Sequence, residues 1–286
     1  METNKEIESN KEIKELENNK NENKEKKENN NHSKNRVYQK RNNRVNNNYK
    51  KGNYDNSPFQ NNQYINSFLM QEMIYRTEMY IYTKYRNLID INIKSNGLSK
   101  KITDASSFYV IKSFSEENVH KSIKYGVWSS SKNGNQTLTN SYNLVQGKKG
   151  DVYLFFSCNG SGRFIGVAKM KSGCDNNKSF EYWTQDGKWP GLFQVEWVFI
   201  KDVPFKEFKN IIITMKDGET KPISNSRDCQ EIPFNYAKIM IEIFEVYQNS
   251  NTILEHFEYY DIRQENYEKQ IQLMKEQQMN KVDQGK

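Results

Sequence analysis

The chain predicts an α/β fold, a small mixed β-sheet or open barrel flanked by helices, behind a disordered N-terminal tail. Three observations carry this. Residues 1 to about 60 are low in complexity, the first thirty almost all Glu, Lys and Asn and the next thirty richer in Arg and Lys, and nothing in them could build a core. From Ser107 onward, short β-branched and aromatic runs alternate with capped helical segments. The 286 residues are 35% hydrophobic with a mean hydropathy of −1.01, yet 13% are aromatic, so the large side chains are concentrated in one part of the chain. The organisation expected is a tail over 1–60, a helical extension and linker over 61–104, a globular domain over 105–262 and a charged tail or helix over 263–286.

The elements follow in order. Leu69, Met73, Tyr80 and Tyr85 fall at helical spacing within 64–92, predicting an amphipathic helix that either packs on the next domain or binds a partner. Asn96-Gly97 stops it. SFYVIKS, Ser107–Ser113, reads as a strand. Ser115–Tyr125 reads as a helix with Ser115 as N-cap, Glu116 and Glu117 in the first turn, and Gly126 as its stop. LTNSYNLVQ is a second short helix. Asp151–Ser157 and Arg163–Met170 are strands joined by the Cys158–Gly162 turn, and a polar loop runs from about Lys171 to Pro190. Leu192–Lys201 is a strand whose alternation places Phe193, Val195, Trp197 and Phe199 on one face. Asn210–Lys216 is a further strand before the Asp217-Gly218 turn. Pro233 opens a helix that runs to Tyr247, and a short helix covers Thr252–Tyr260.

Several functions are excluded. No run of about 18 apolar residues is present to cross a bilayer. The polar N-terminus has no apolar segment of a secretory signal. Three cysteines and three histidines, all scattered, fit neither a disulfide framework nor a metal site, so no metal and no cofactor is expected. Cys158, His120 and Asp228 lack any signature of a catalytic set, and Asp186 with Asp228 is a weak acid–base pair. CNGSG joins two strands rather than a strand to a helix, so it is a hairpin turn and not a phosphate cradle.

All four tryptophans, Trp128, Trp183, Trp189 and Trp197, lie in the globular part. Trp197 belongs to an alternating strand and is core. The other three flank or occupy polar loops, where an exposed indole is costly. From position alone two uses stay open: a satellite cluster under a loop, or a box of indole faces around a methylated nitrogen. Stacking on RNA bases is a related use.

Four blocks then decide the matter: FYVIKSFSEENVHKSIKYGVWSS, VYLFFSCNGSGRFIGVAKM, YWTQDGKWPGLFQVEWVFIKDVP and KPISNSRDCQEIP. In this order they resemble the YTH domain, the reader of N6-methyladenosine in RNA, over Ser107 to about Tyr260. The wording of IKYGVW, CNGSG and TQDGKW is closer to the cytoplasmic mRNA-reader branch. The resemblance implies a YTH-type fold, an mRNA partner and no catalysis. It places Trp128, Trp183 and Trp189 as a cage for the N6-methyl group, and the Ser129 carbonyl as acceptor for the remaining N6–H. Asn118 falls where an amide can donate to the base's N1, which an ionised Asp cannot. Ser113 and Phe114 line the same edge, Phe114 standing where that branch often has Tyr. Asn159 matches a polar pocket residue. Lys112, Arg163 and Arg227 fall in blocks that face the RNA backbone, and Asp228 is expected to orient Arg227. Gly187 makes the loop one residue longer than in relatives that read QDKW.

A cage for methyl-lysine on a protein is the alternative, with Asp186 as the carboxylate to meet the charge. The resemblance also implies a cytoplasmic protein, although the Lys/Arg-rich 31–60 tract reads equally as a nuclear signal. Protein effectors would act through the N-terminal region or the 64–92 helix. The net charge of +7 sits largely in the tail: residues 31–60 hold seven basic residues and one acidic, while 106–262 hold 18 of each. RNA recognition by the domain must therefore come from placement and not from bulk charge.

Overall fold

The computed structural model describes residues 58–185, 187–214, 218–248 and 252–284. The chain divides at Ile65/Asn66, and the sheet, both cores and the site belong to the part from Asn66 onward. All but the last three residues of the expected tail lie outside the described residues.

The organising element is a six-stranded mixed sheet in the order β2-β5-β4-β3-β1-β8. β1 (Ser107–Ser113) pairs in parallel with β3 (Val152–Cys158), in unbroken register from Ser107↔Val152 to Ser113↔Cys158. β4 (Arg163–Met170) and β5 (Phe193–Pro204) follow antiparallel, and β2 (Val127–Trp128) and β8 (Gln230–Glu231) close the two edges. A parallel pair is normally covered on both faces, and its strands read as continuous apolar runs. VYLFFSC obeys this: every residue of β3 is buried. Alternate side chains feed two cores. Tyr109, Ile111, Leu154 and Phe156 enter one, and Phe108, Val110, Tyr153 and Phe155 enter the other.

The first core is covered by α4 (Glu116–Tyr125) and α5 (Lys132–Gln146). α4 is built as its sequence says: the Ser115 side chain accepts from the Asn118 N–H, and Gly126 ends it at φ 64°. α5 begins six residues earlier than LTNSYNLVQ suggests, because Ser131 supplies an N-cap. The second core is covered by α6 (Phe234–Val246), which presents Ala237, Met240, Ile241 and Phe244 at helical spacing, with Pro233 just ahead of its first residue. A separate ribbon pairs β6 (Ile212–Thr214) with β7 (Thr220–Pro222). β6 is shorter than the strand expected over Asn210–Lys216, whose last two residues, with Asp217 of the expected turn, lie outside the described residues.

One expectation about β5 is corrected. Val167 faces Phe199 while Ala168 faces Trp197, so Val198 is an extra residue on β5. Such a bulge moves everything beyond it to the other face. Phe193, Val195 and Trp197 stay in the first core, but Phe199 enters the second.

The flanking helices meet this body at several points, and one carboxylate gathers the densest set of bonds between them. α1 (Pro58–Lys84) is followed by two single turns, α2 (Arg86–Ile89) and α3 (Ile91–Lys94). Leu69 and Met73 of the expected stripe are exposed, whereas Tyr80 and Tyr85 pack on the core. Asn92 closes on the free edge of β5, its amide donating to the Ile200 carbonyl and accepting the Ile200 N–H, both at 2.9 Å. The end of the chain is one continuous helix, α7 (Phe257–Gln284), led in by a Thr252–Glu255 capping box. From α7 the buried Asp261 accepts hydrogen bonds from Tyr80 (2.6 Å), Tyr85 (2.5 Å), Lys124 (2.6 Å) and His120 Nε2 (3.2 Å). Burial alone would raise the carboxyl pKa, but the His120, Lys124 and tyrosine donors outweigh it and hold it well below the carboxylate range. Burial lowers the His120 pKa, so the imidazole stays neutral and donates Nε2–H.

Asp261→Asn should lower stability at pH 7 by about 3 kcal/mol, the scale for breaking a buried ion pair. A depressed folded-state pKa gives stability that is full above about pH 4, the unfolded value, and fades below it. The gap between wild type and variant in chemical denaturation should therefore shrink as pH falls from about 4, the same unfolded-state value; a gap of constant size from neutral pH down to acid would refute the assignment.

Candidate nucleic-acid interface

The end of β1, the start of α4, the short β2 and the 171–190 loop converge on one pocket. Trp128, Trp183 and Trp189 line it, with Lys112, Ser113, Phe114, Asn118, Ser129, Ser130 and Asp228. Trp128 is the last residue of β2, seated edge-on to Phe156 of β3 at 4.9 Å. Trp183 meets Trp128 at 5.4 Å between ring centres, with planes at 71°, and is backed by Phe180 at 4.7 Å. Trp189 is half-buried and lines the same pocket; among the described residues it stacks on neither of the other two. Trp197 lies beneath, tilted against Phe156 at 4.6 Å, as core. The three lining indole Nε1–H groups are buried and have no partner among the described residues.

The polar rim is fixed by neighbours. Asn118 sits in the first turn of α4 and is buried; its Oδ1 accepts the Thr184 N–H at 3.1 Å. That bond turns Nδ2, a donor, away from Thr184 and leaves it for the pocket. Ser129 donates its hydroxyl to the Pro190 carbonyl at 2.9 Å, and its own carbonyl has no donor among the described residues. The Ser113 hydroxyl donates to the Ser115 carbonyl at 2.8 Å, holding the turn from β1 into α4. Phe114 is exposed, and the Lys188 ammonium rests 4.8 Å from its ring centre and 5.1 Å from that of Trp189. Gly187 adopts φ 66°, the conformation that favours glycine, in the lengthened loop. Asp186 lies outside the described residues.

Asp228 differs from expectation. It does not orient Arg227; its Oδ1 accepts the Lys112 N–H (2.9 Å) and its Oδ2 accepts the Ser130 hydroxyl (2.6 Å). A carboxylate beside two converging donors is satisfied by them without an arginine. Arg227 is exposed. Arg163 does not line the pocket, and its guanidinium bridges Glu116 at 2.6 Å and Asp202 at 2.8 Å. Burial pushes the Asp202 carboxyl up to about 6 against the pull of Arg163. The Lys112 ammonium turns to the Ser224 carbonyl (3.1 Å) and the Phe205 ring, and burial lowers its pKa. Asn159 is an exposed turn residue whose backbone N–H holds the Ser113 carbonyl at 3.0 Å. Ser130 and Thr184 were missed; the Ser129–Ser131 run reads as an ordinary helix lead-in, and a backbone N–H has no signature.

Indole walls, one amide donor and one carbonyl acceptor make a slot whose shape suits a flat, partly apolar group with both donor and acceptor atoms. Residues 106–245 match the family model described as the YT521-B-like domain, YTH, and this part of the chain is a YTH domain. ECT3 of Arabidopsis thaliana, a YTH domain-containing protein, is 44% identical over 186 residues, covering 63% of this chain and 37% of that protein. YTH domain-containing family protein 2 of Homo sapiens is 46% identical over 160 residues, covering 56% of this chain and 27% of that one. The matches thus span little more than a third of those relatives at most. The YTH domain of Zygosaccharomyces rouxii MRB1, crystallised in complex with N6-methyladenosine RNA, is 39% identical, with 52% of this chain and 93% of that one covered at a TM-score of 0.47.

Asp228→Ala should lower stability by about 2 kcal/mol, since two donors lose a charged acceptor, while Arg227→Ala should leave the denaturation midpoint unchanged. Equal losses in both variants would restore an Asp228–Arg227 pair.

Proposed function

We propose that this domain reads N6-methyladenosine in single-stranded mRNA, without catalysis, and so influences the fate of the message. The observation that carries the reading is the convergence of three indoles from two segments, β2 and the loop before β5, on one pocket whose rim holds the Asn118 amide and the Ser129 carbonyl. The Asn118 amide would donate to N1 and the Ser129 carbonyl would accept the one remaining N6–H. A second methyl would remove that hydrogen, so the pocket should prefer one methyl.

The energetics fit a neutral ligand. Burying one methyl is worth about 0.8 kcal/mol by area alone. Close contact with indole faces adds dispersion, which depends on near-contact distances. The base must leave its stack to enter, which favours single strands. A methyl-lysine ligand is supported less well: Asp228 is the carboxylate that lines the pocket among the described residues, and Lys112 and Ser130 already occupy its oxygens. Exposed Lys188 and Arg227 are the cations best placed for phosphates near the pocket, with the 31–60 tract as a further basic arm. A cytoplasmic site of action and effectors docking through the N-terminal region complete the proposal.

Titration with matched RNA oligomers should show preference for the methylated one. Trp128→Ala or Trp183→Ala should each cost the methylated complex about 2 kcal/mol or more, as for aromatic anchors in desolvated pockets, with little change for unmethylated RNA. Discrimination surviving in both variants would overturn the cage. Removing residues 31–60 should flatten the salt dependence of affinity; an unchanged slope would exclude the tail from RNA contact.

A further inference from the structure

The pocket's two outer walls come from chain segments some sixty residues apart, and the sheet does not join them. The β2–β5 pairing ends at Trp128↔Phe193, so Trp189 and Pro190 have already left the ladder. The Ser129 hydroxyl reaches across to the Pro190 carbonyl, and a buried amide behind it holds both sides of the gap. Asn135, in the first turn of α5, is 3% exposed and does not itself line the pocket. Its Oδ1 accepts the Ser130 N–H at 2.8 Å, two residues past Trp128. Its Nδ2 donates to the Pro190 carbonyl at 2.6 Å, one residue past Trp189, with the Ser129 hydroxyl oxygen at 3.4 Å. Both ends of the amide are therefore used, one on each wall.

The approach of α5 to this point is itself demanding. A Cβ on Gly134 would lie 2.3 Å from Ser130 Oγ and 2.8 Å from Cys229 Sγ, so the helix can enter this closely only with glycine there. From Ser130 the tie continues through its hydroxyl to Asp228 and the Lys112 N–H, reaching the wall at the end of β1.

We infer that Asn135 is a positioning residue that sets the separation of the Trp128 and Trp189 walls, and through it the selectivity for the methyl group. Its effect on selectivity rests on the reading proposed above; its effect on the walls does not. Dispersion falls steeply with a gap of even half an ångström. A relaxed Trp189 wall would thus cost the methylated base, which touches it, more than the unmethylated one. Asn135→Asp keeps the acceptor for Ser130 but faces a carboxylate oxygen to the Pro190 carbonyl. Asn135→Ala removes both bonds.

The test uses the full chain labelled with 5-fluorotryptophan. In ¹⁹F spectra without RNA, Asn135→Asp should move the Trp128 and Trp189 resonances and leave Trp197 in place. In titrations, the ratio of methylated to unmethylated affinity should fall about tenfold, the low end of what losing an outer-shell orienting partner costs at a metal site, taken here as the scale. Denaturation curves establish that each variant is folded, and Asn135→Ser replaces any that is not. Unmoved Trp128 and Trp189 resonances would overturn the inference whatever the ligand. Moved resonances with an unchanged affinity ratio would overturn its selectivity part. A wild type that binds both RNAs equally would overturn the methyl reading and that selectivity part together, while the ¹⁹F result still decides the positioning role.

Discussion

The parallel pairing of β1 with β3 is the constraint from which the rest follows. Parallel neighbours cannot be joined by a tight turn; the chain must leave the sheet, cross over and return. Here the crossover is Phe114 to Asp151, and it contains α4, β2 and α5. Half of the residues that line the pocket lie on that excursion. Phe114 and Asn118 stand where the chain leaves β1, Trp128 to Ser130 where it touches the sheet edge midway, and Asn135 where it turns back. The remaining walls, Trp183, Trp189 and Asp228, are brought to it by the loop before β5 and the segment before β8. The topology therefore assembles a recognition site as a by-product of closing a buried parallel pair.

The pocket sets aromatic walls in a polar frame. Two of its indoles are seated on further rings: Trp128 on Phe156, Trp183 on Phe180. In the frame, Ser130 and Asp228 line the pocket themselves and Asn135 lies behind it, in bonds of 2.6 to 2.8 Å. Hydrogen bonds fix distances more sharply than apolar packing does, because their strength falls off over a few tenths of an ångström and with angle.

How much of this was legible in the sequence follows the length of each signal. β1, β3, β4 and α4 were readable because each has a run of five or more residues with a cap or turn at its end, and Ser115 and Gly126 named their own roles. β2, β7 and β8 were not, since two or three residues carry no period and exist only because a neighbouring strand has bonds to offer. Phe199 was misplaced because a bulge is a decision of the pair of strands, invisible in either alone. The three indoles could be named from the family pattern. Their supports could not: Asp228 looked like a partner for the arginine beside it, and its true partners are a backbone N–H and a serine that only the fold brings near. Arg163 read as an RNA contact, but Glu116 and Asp202 reach it from other elements.

The carboxylate of Asp261 ties helices on either side of residues 106–245 to α4 within them. The stretch that matches the family and the stretch held together by these bonds are then different objects. Cooperative units are defined by which contacts open together and not by which residues resemble a family. Since α4 carries Asn118 at one end and the donors to Asp261 further along, a local opening of α1 or α7 would be felt at the pocket rim. The flanking helices α1 and α7 are thus coupled through α4 to the rim of the pocket.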